Sequence, residues 1–143
     1  MEAGRRVARL LGSADFNADR MDEYLMSHAR YSSENINSTT RNHVLSSGAA
    51  AAFALLMDSR SAQIATTLAG FSVNFGAKEG AADSGAMQKI WQVNSTDPRA
   101  EHSAMSGATA GIDDLFSNGM WGPGDPGGGV DQNAGCQCSL GFR

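Results

Sequence analysis

Three side chains in the second half of the sequence carry soft electron-pair donors: His102, Cys136 and Cys138. An imidazole and two thiols form a ligand set that zinc accepts, and Asp97, Asp113 or Asp125 would supply a fourth donor. The spacing is not that of a zinc finger or ribbon, because such sites draw on Cys-x-x-Cys knuckles and none is present. The competing reading is that His102 hydrogen-bonds a backbone carbonyl or the C-terminal strand, while the cysteines pack as small apolar residues. Cysteines at i and i+2 on an extended strand share a face, but a disulfide between them would be strained, so two thiols are expected.

Other chemistries find less support. A cysteine protease needs a thiolate activated by a nearby histidine, and His102 with Cys136 is the one pairing to consider. No Gly-x-Ser-x-Gly elbow exists, and Ser46-Ser47-Gly48 reads as helix surface. The run from Gly122 to Gly129 lacks the Gly-Lys-Ser/Thr of a phosphate loop and reads as a flexible surface loop. Arg99 and His102, at i and i+3, share one face of a short helix. Arg99 is expected to hold Asp125 or Asp113 in a forked pair and so fix the glycine-rich loop, a structural role rather than a catalytic one.

These residues must be positioned by short elements. Lys89 to Ser95 is rich in β-branched and aromatic types and short enough for a strand, with Trp91 and Val93 on one face. Asp97-Pro98 offers a cap and a first-turn proline for a helix from Pro98 to about Ser106 that stops at Gly107. Ile112 to Phe116 reads as a turn, and Trp121 to Gly129 as irregular. A last strand, Cys136 to Phe142, is expected to pair with the Trp91 strand.

Upstream, helix signals dominate. One candidate, about Ala18 to Tyr31, aligns Met21, Leu25 and His28. A second, Glu34 to Met57, has Ser33 as its cap, Ile36, Thr40, His43, Val44, Ser47, Ala51 and Ala54 along one stripe, and a kink expected at Gly48. A third, Arg60 to Ala82, is capped by Asp58 or Ser59 and repeats Ile64, Leu68, Phe71 and Phe75 on one face. His28 and His43 read as core or boundary residues. The fold class is therefore α+β: helical hairpins over residues 1–85, then a small α+β module over 86–143 with a short antiparallel sheet and a glycine-rich loop.

The bulk properties narrow the function. A chain of 143 residues with 41% hydrophobic content suits one modest core. A formal charge of −4 argues against a general surface for nucleic acid or anionic lipid. Arg5, Arg6 and Arg9 form one short basic cluster, read as a solvated helix face with DNA contact as the alternative. That stretch lacks the apolar core of a secretory signal, and no segment approaches the ~20 apolar residues of a membrane span. A soluble protein in a reducing cytoplasm is expected.

Taken in order, Trp91, Asp97, Arg99 with His102, Met105-Ser106-Gly107, Phe116, Pro123-Gly124-Asp125-Pro126 and Cys136-Gln137-Cys138 resemble the C-terminal module of the phage Mu F-like minor head proteins, or head morphogenesis proteins. Arg60 to Ala65 looks like that family's upstream helix. Gly135 departs from the pattern, where the family often has Asn, and relatives usually extend further at the N-terminus, so a short form or a fragment is expected. The resemblance implies a low-copy component of the phage head, interior or at the portal vertex, made in the bacterial cytoplasm. It would act through the portal or major capsid protein in assembly, DNA packaging or delivery. The alternatives are a capsid maturation protease or small metal-dependent hydrolase using His102, Cys136 and Cys138, and an internal protein touching packaged DNA.

Overall fold

The structure is a computed structural model that describes residues 21–143. The expected α+β class is observed: long helices precede a small three-stranded antiparallel sheet. The chain divides into two compact units, with the boundary between Ala65 and Thr66.

In the first unit, helix α1 spans Asp22–Ser47 as one piece, where two helices meeting near Ser33 were expected. No glycine or proline interrupts residues 22–47, so nothing local breaks the hydrogen-bond ladder. The break comes at the expected Gly48, whose φ of 80° ends the helix while its N–H still bonds the Val44 carbonyl at 2.9 Å. Helix α2, Ala49–Leu55, follows, and a π-helical turn, Leu56–Arg60, leads directly into α3, Ser61–Asp83. Asp58 and Ser59 therefore lie inside continuous helix rather than capping a new one. The Arg60 guanidinium ties the π turn to α1 by donating to the Thr39 hydroxyl, with Ile36 O and Thr40 Oγ1 each at 3.4 Å. His28 and His43 are half-buried.

The second unit begins inside α3 at Thr66, upstream of residue 86, because most of α3 is one wall of the module. Its sheet has the order β2-β1-β3. Strand β1, Gln88–Gln92, pairs with β3, Ser139–Phe142, with Trp91 opposite Leu140, which is the expected partnership. Strand β2, Thr109–Gly111, pairs along the other side of β1 and has no signal of its own in three small residues. The core is Trp91, Met105, Phe116, Met120, Cys136, Cys138 and Leu140. Of the α3 stripe, Phe71 and Phe75 are buried and stack at 5.6 Å, both edge-on to Trp121, while Ile64 and Leu68 are only half-buried.

Helix α4, Ala100–Ala104, starts two residues later than expected, with Arg99 in the cap position and no side-chain cap. Asp97 does not cap it, and its N–H bonds Ser95 Oγ instead. Gly107, with φ of 77°, turns the chain from α4 toward β2. Its N–H reaches the Trp91 carbonyl while the Trp91 N–H reaches Ala108 O, each at 2.9 Å.

The first half of the glycine-rich segment is not a surface loop, because Gly122, Pro123, Gly124 and Asp125 are buried, while residues 126–129 are half-buried or exposed. Asp125 organises it: Oδ2 accepts the Trp121 N–H at 2.6 Å, and Oδ1 accepts the Gly127 N–H at 2.8 Å to cap a 3₁₀ turn, Pro126–Gly128. Helix α5, Gly129–Asn133, follows, and Asn133 Nδ2 donates to the Asp125 carbonyl. Gly124 has φ of 95°, and a Cβ there would lie 2.8 Å from Phe71 Cα, so the segment lies against α3 at glycine distance.

The clamp between α3 and the module is Asn74, 3% exposed. Its Nδ2 donates to Pro123 O at 3.2 Å and Cys138 O at 3.0 Å, and its Oδ1 accepts the Leu140 N–H at 3.1 Å. Replacing it by leucine keeps the volume and strands three buried backbone groups. Each stranded group costs roughly 1–3 kcal/mol, so Asn74→Leu is expected to lower stability by at least ~3 kcal/mol in urea unfolding, whereas Asn94→Leu, at an exposed position beyond the end of β1, changes it little.

Candidate metal centre

His102, on α4, is 2% exposed, and Cys136 and Cys138, just before β3, are 7% and 6% exposed. His102 Nδ1 lies 3.5 Å from both sulfurs, and the three donor atoms all fall within 4.8 Å of one another. Both cysteines are free. The structure thus brings together the three sequence-predicted ligands across 34 and 36 residues of chain.

Backbone contacts hold each ligand in place. The Cys136 N–H bonds Asn133 O at 3.0 Å, and the Gly135 N–H bonds Thr67 Oγ1 at 2.9 Å. The Cys138 carbonyl is taken by Asn74. The His102 ring stands edge-on to Trp91, with centroids 5.4 Å apart, and Trp91 in turn meets Phe116 edge-on at 5.3 Å. On the far side of the imidazole, Nε2 lies 3.0 Å from Gln132 Oε1. Of the competing reading, the backbone carbonyl is not found, since the partners of His102 are one side-chain amide and two sulfurs, whereas both cysteines do pack in the hydrophobic core beside the C-terminal strand.

The two N···S separations are compatible with a metal between the donors as well as with hydrogen bonds. Bonds of about 2.0 Å to nitrogen and 2.3 Å to sulfur at tetrahedral angles give an N···S edge of about 3.5 Å. That is the separation found on both sides of His102. No fourth His, Cys, Asp or Glu joins the group among the described residues. Asp113 is engaged by Lys78 at 3.1 Å, both Asp125 oxygens are held by backbone N–H groups, and Asp97 is exposed. The expected carboxylate ligand is therefore absent from this group.

Arg99 also departs from expectation. Its guanidinium donates to the Ala134 carbonyl rather than to Asp125 or Asp113, which pins the chain two residues before Cys136. Pro123 contributes its carbonyl to Asn74, Gly107 the turn beside Trp91, and Phe116 a wall of the core. Arg5, Arg6 and Arg9 lie outside the described residues.

Electrostatics separates the two thiols. Cys136 is lowered to about 6, chiefly because the Cys138 thiol hydrogen-bonds its sulfur, with the Cys138 N–H and His102 adding to the effect against the cost of burial. Cys138 is pushed up by that same hydrogen bond, by burial and by the Cys136 charge. The buried Trp91 Nε1–H meets no acceptor at hydrogen-bond geometry, but its proximity favours negative charge on Cys138. A thiolate at Cys138, as in a metal complex, would give this indole its partner.

Several residues that shape the site were not legible as such in the sequence. Asn74 sits three residues after Phe71 on the apolar stripe, and a lone amide there is the signal that could have marked it. Lys89 shares the Trp91 face of β1 and is fully buried, with Nζ bonding Ile112 O at 3.0 Å and lying 5.4 Å from the Phe116 ring centre. Burial lowers its pKa. Gln132 and Asn133 had no distinguishing pattern.

The Cys136 shift fixes a pH dependence. A thiol lowered in the folded state contributes stability that is complete above the unfolded value and lost as pH falls through the folded one. In the metal-free, reduced protein, the urea midpoint of wild type relative to Cys136→Ser is therefore expected to rise from pH 6 to pH 9, and a flat difference would show that Cys136 carries no depressed pKa. Comparison of the chain with family models, with curated proteins and with solved structures finds no match.

Proposed function

We propose that this chain is a minor capsid or head morphogenesis protein of a tailed bacteriophage, and that zinc at His102, Cys136 and Cys138 staples its C-terminal module. It resides in the phage head, at the interior or the portal vertex, and acts by contact with the portal or major capsid protein in head assembly or DNA packaging and delivery. The observation that carries this reading is where the residues of the resemblance lie. Trp91, His102, Phe116, Pro123, Asp125, Cys136 and Cys138 are buried, Asp97 and Gly107 are exposed, and Arg99 reaches a backbone carbonyl beside the buried set. A small module with few large apolar side chains also gains most from a metal staple.

No helix among the described residues is long and apolar enough to cross a membrane. Three protein ligands with the fourth position open are also the composition of catalytic zinc sites, which is the specific point in favour of a small metal-dependent hydrolase or capsid maturation protease. The near-complete burial of all three ligands weighs against it.

The test co-expresses the tagged chain with the portal and major capsid proteins of the same phage and follows size-exclusion chromatography together with metal content. Co-elution with either protein and one zinc per chain are expected. Cys136→Ser should lose the zinc and destabilise the module without removing any reaction. Absence of association at every salt concentration, with peptide or ester hydrolysis lost in a folded Cys136→Ser variant, would move the assignment to the enzyme.

A further inference from the structure

The two ring nitrogens of His102 face different chemistry. Nδ1 points at the sulfur pair, and Nε2 lies 3.0 Å from Gln132 Oε1. The other end of the same amide, Gln132 Nε2, donates to Glu101 Oε2 at 2.8 Å. An ionised carboxylate only accepts hydrogen bonds, so Glu101 requires the NH₂ end of the amide. The carbonyl end is thereby turned toward the imidazole, and an amide oxygen only accepts. Nε2 must then carry the proton, and in a neutral ring Nδ1 presents a bare lone pair to Cys136 and Cys138.

We infer that Glu101 and Gln132 are positioning residues that select the Nε2–H tautomer of His102 and aim Nδ1 at the metal position. The assignment of Nδ1 as a metal ligand rests on the zinc reading above, whereas the tautomer itself does not. Metal-bound histidines commonly donate their second N–H to an outer acceptor, which fixes ring orientation and raises the basicity of the ligating nitrogen. Here the acceptor is a neutral amide whose direction is set by a carboxylate one residue before the ligand. Helices α4 and α5 supply the two halves of this relay. The Arg99 bond to Ala134 O fastens the same two segments, so Gln132 is held opposite the ring rather than left to solvent.

Chain order offers no hint of this pairing, since Gln132 follows His102 by 30 residues in a glycine-rich segment. Both outer residues are peripheral to the core, Glu101 exposed and Gln132 half-buried. Their substitution can therefore be separated from loss of fold.

The experiment measures zinc affinity by chelator competition and the His102 tautomer by ¹⁵N-detected ring spectra, on the full chain, with and without zinc. Wild type is expected to show Nε2 protonated in both states when the ring is neutral. Gln132→Leu should weaken zinc by about 10- to 100-fold and give a mixed tautomer in the metal-free protein, with an unchanged thermal midpoint of the metal-free form. Gln132→Glu alone keeps an acceptor opposite the ring and should keep the Nε2–H tautomer. The swap Glu101→Gln with Gln132→Glu restores an acceptor to the ring and a donor to its neighbour, so it should recover both affinity and tautomer. Wild-type zinc affinity in Gln132→Leu, or an Nδ1–H tautomer in metal-free wild type, would overturn the relay. A wild type that binds no zinc yet keeps the Nε2–H tautomer, lost in Gln132→Leu, would sink the metal reading and leave the relay standing.

Discussion

Three electron-pair donors converge in the buried interior of the module, and a proton or a cation must lie between each facing pair. With Nε2 protonated, a neutral His102 has none to offer through Nδ1. The Cys136 thiol releases its proton readily, and Cys138 retains one and shares it with Cys136. Lone pairs that face one another in a low-dielectric interior repel unless a proton or a cation lies between them. A soft cation would satisfy all three donors at once, and a thiolate at Cys138 would give the Trp91 indole a partner. Much of the module can be understood as the apparatus that brings these donors together.

That apparatus is polar to an unusual degree for so small a core. Asn74 holds three backbone groups of the module, Asp125 organises the glycine-rich segment, Arg99 pins the approach to Cys136, and Lys89 fastens Ile112 beneath Phe116. Each of these bonds ties a side chain to a backbone group of a distant or irregular segment. Such networks specify one arrangement strongly, since every partial satisfaction is costly. They also explain the glycines. Gly124 allows the segment to rest on α3, and Gly107 allows the chain to leave α4 and return to Trp91.

The helical unit obeys a different economy. No residue of α1 is fully buried, and Met26, Leu45, Phe53 and Met57 are more than half exposed. Its internal order comes from local hydrogen bonds and from Arg60, which anchors the π turn on Thr39 and Thr40. A π turn accommodates an extra residue without ending the helix, which is why α2 and α3 run on through Asp58 and Ser59. Polar side chains at 58 and 59 suggested a cap, but the backbone had already found partners within the helix.

The sequence by itself determined the α+β class, the break at Gly48, the end of α4 near Gly107, the pairing of the Trp91 strand with the C-terminal strand, and the identity of the three donors. Those features rest on residue type and local period, which short stretches of chain carry. Only the tertiary structure decided the rest. It showed that the three donors meet within 4.8 Å of one another and that no carboxylate joins them among the described residues. It gave Arg99 to a carbonyl rather than an aspartate, and placed Asn74 and Lys89 at the centre of the packing. It also buried Gly122 to Asp125, which composition alone assigned to a surface loop. The physical reason is common to all of these. A hydrogen bond or a ligand bond is chosen by which group arrives within about 3 Å once distant segments have packed, and residues separated by 30 to 70 positions leave no trace of that distance in their order.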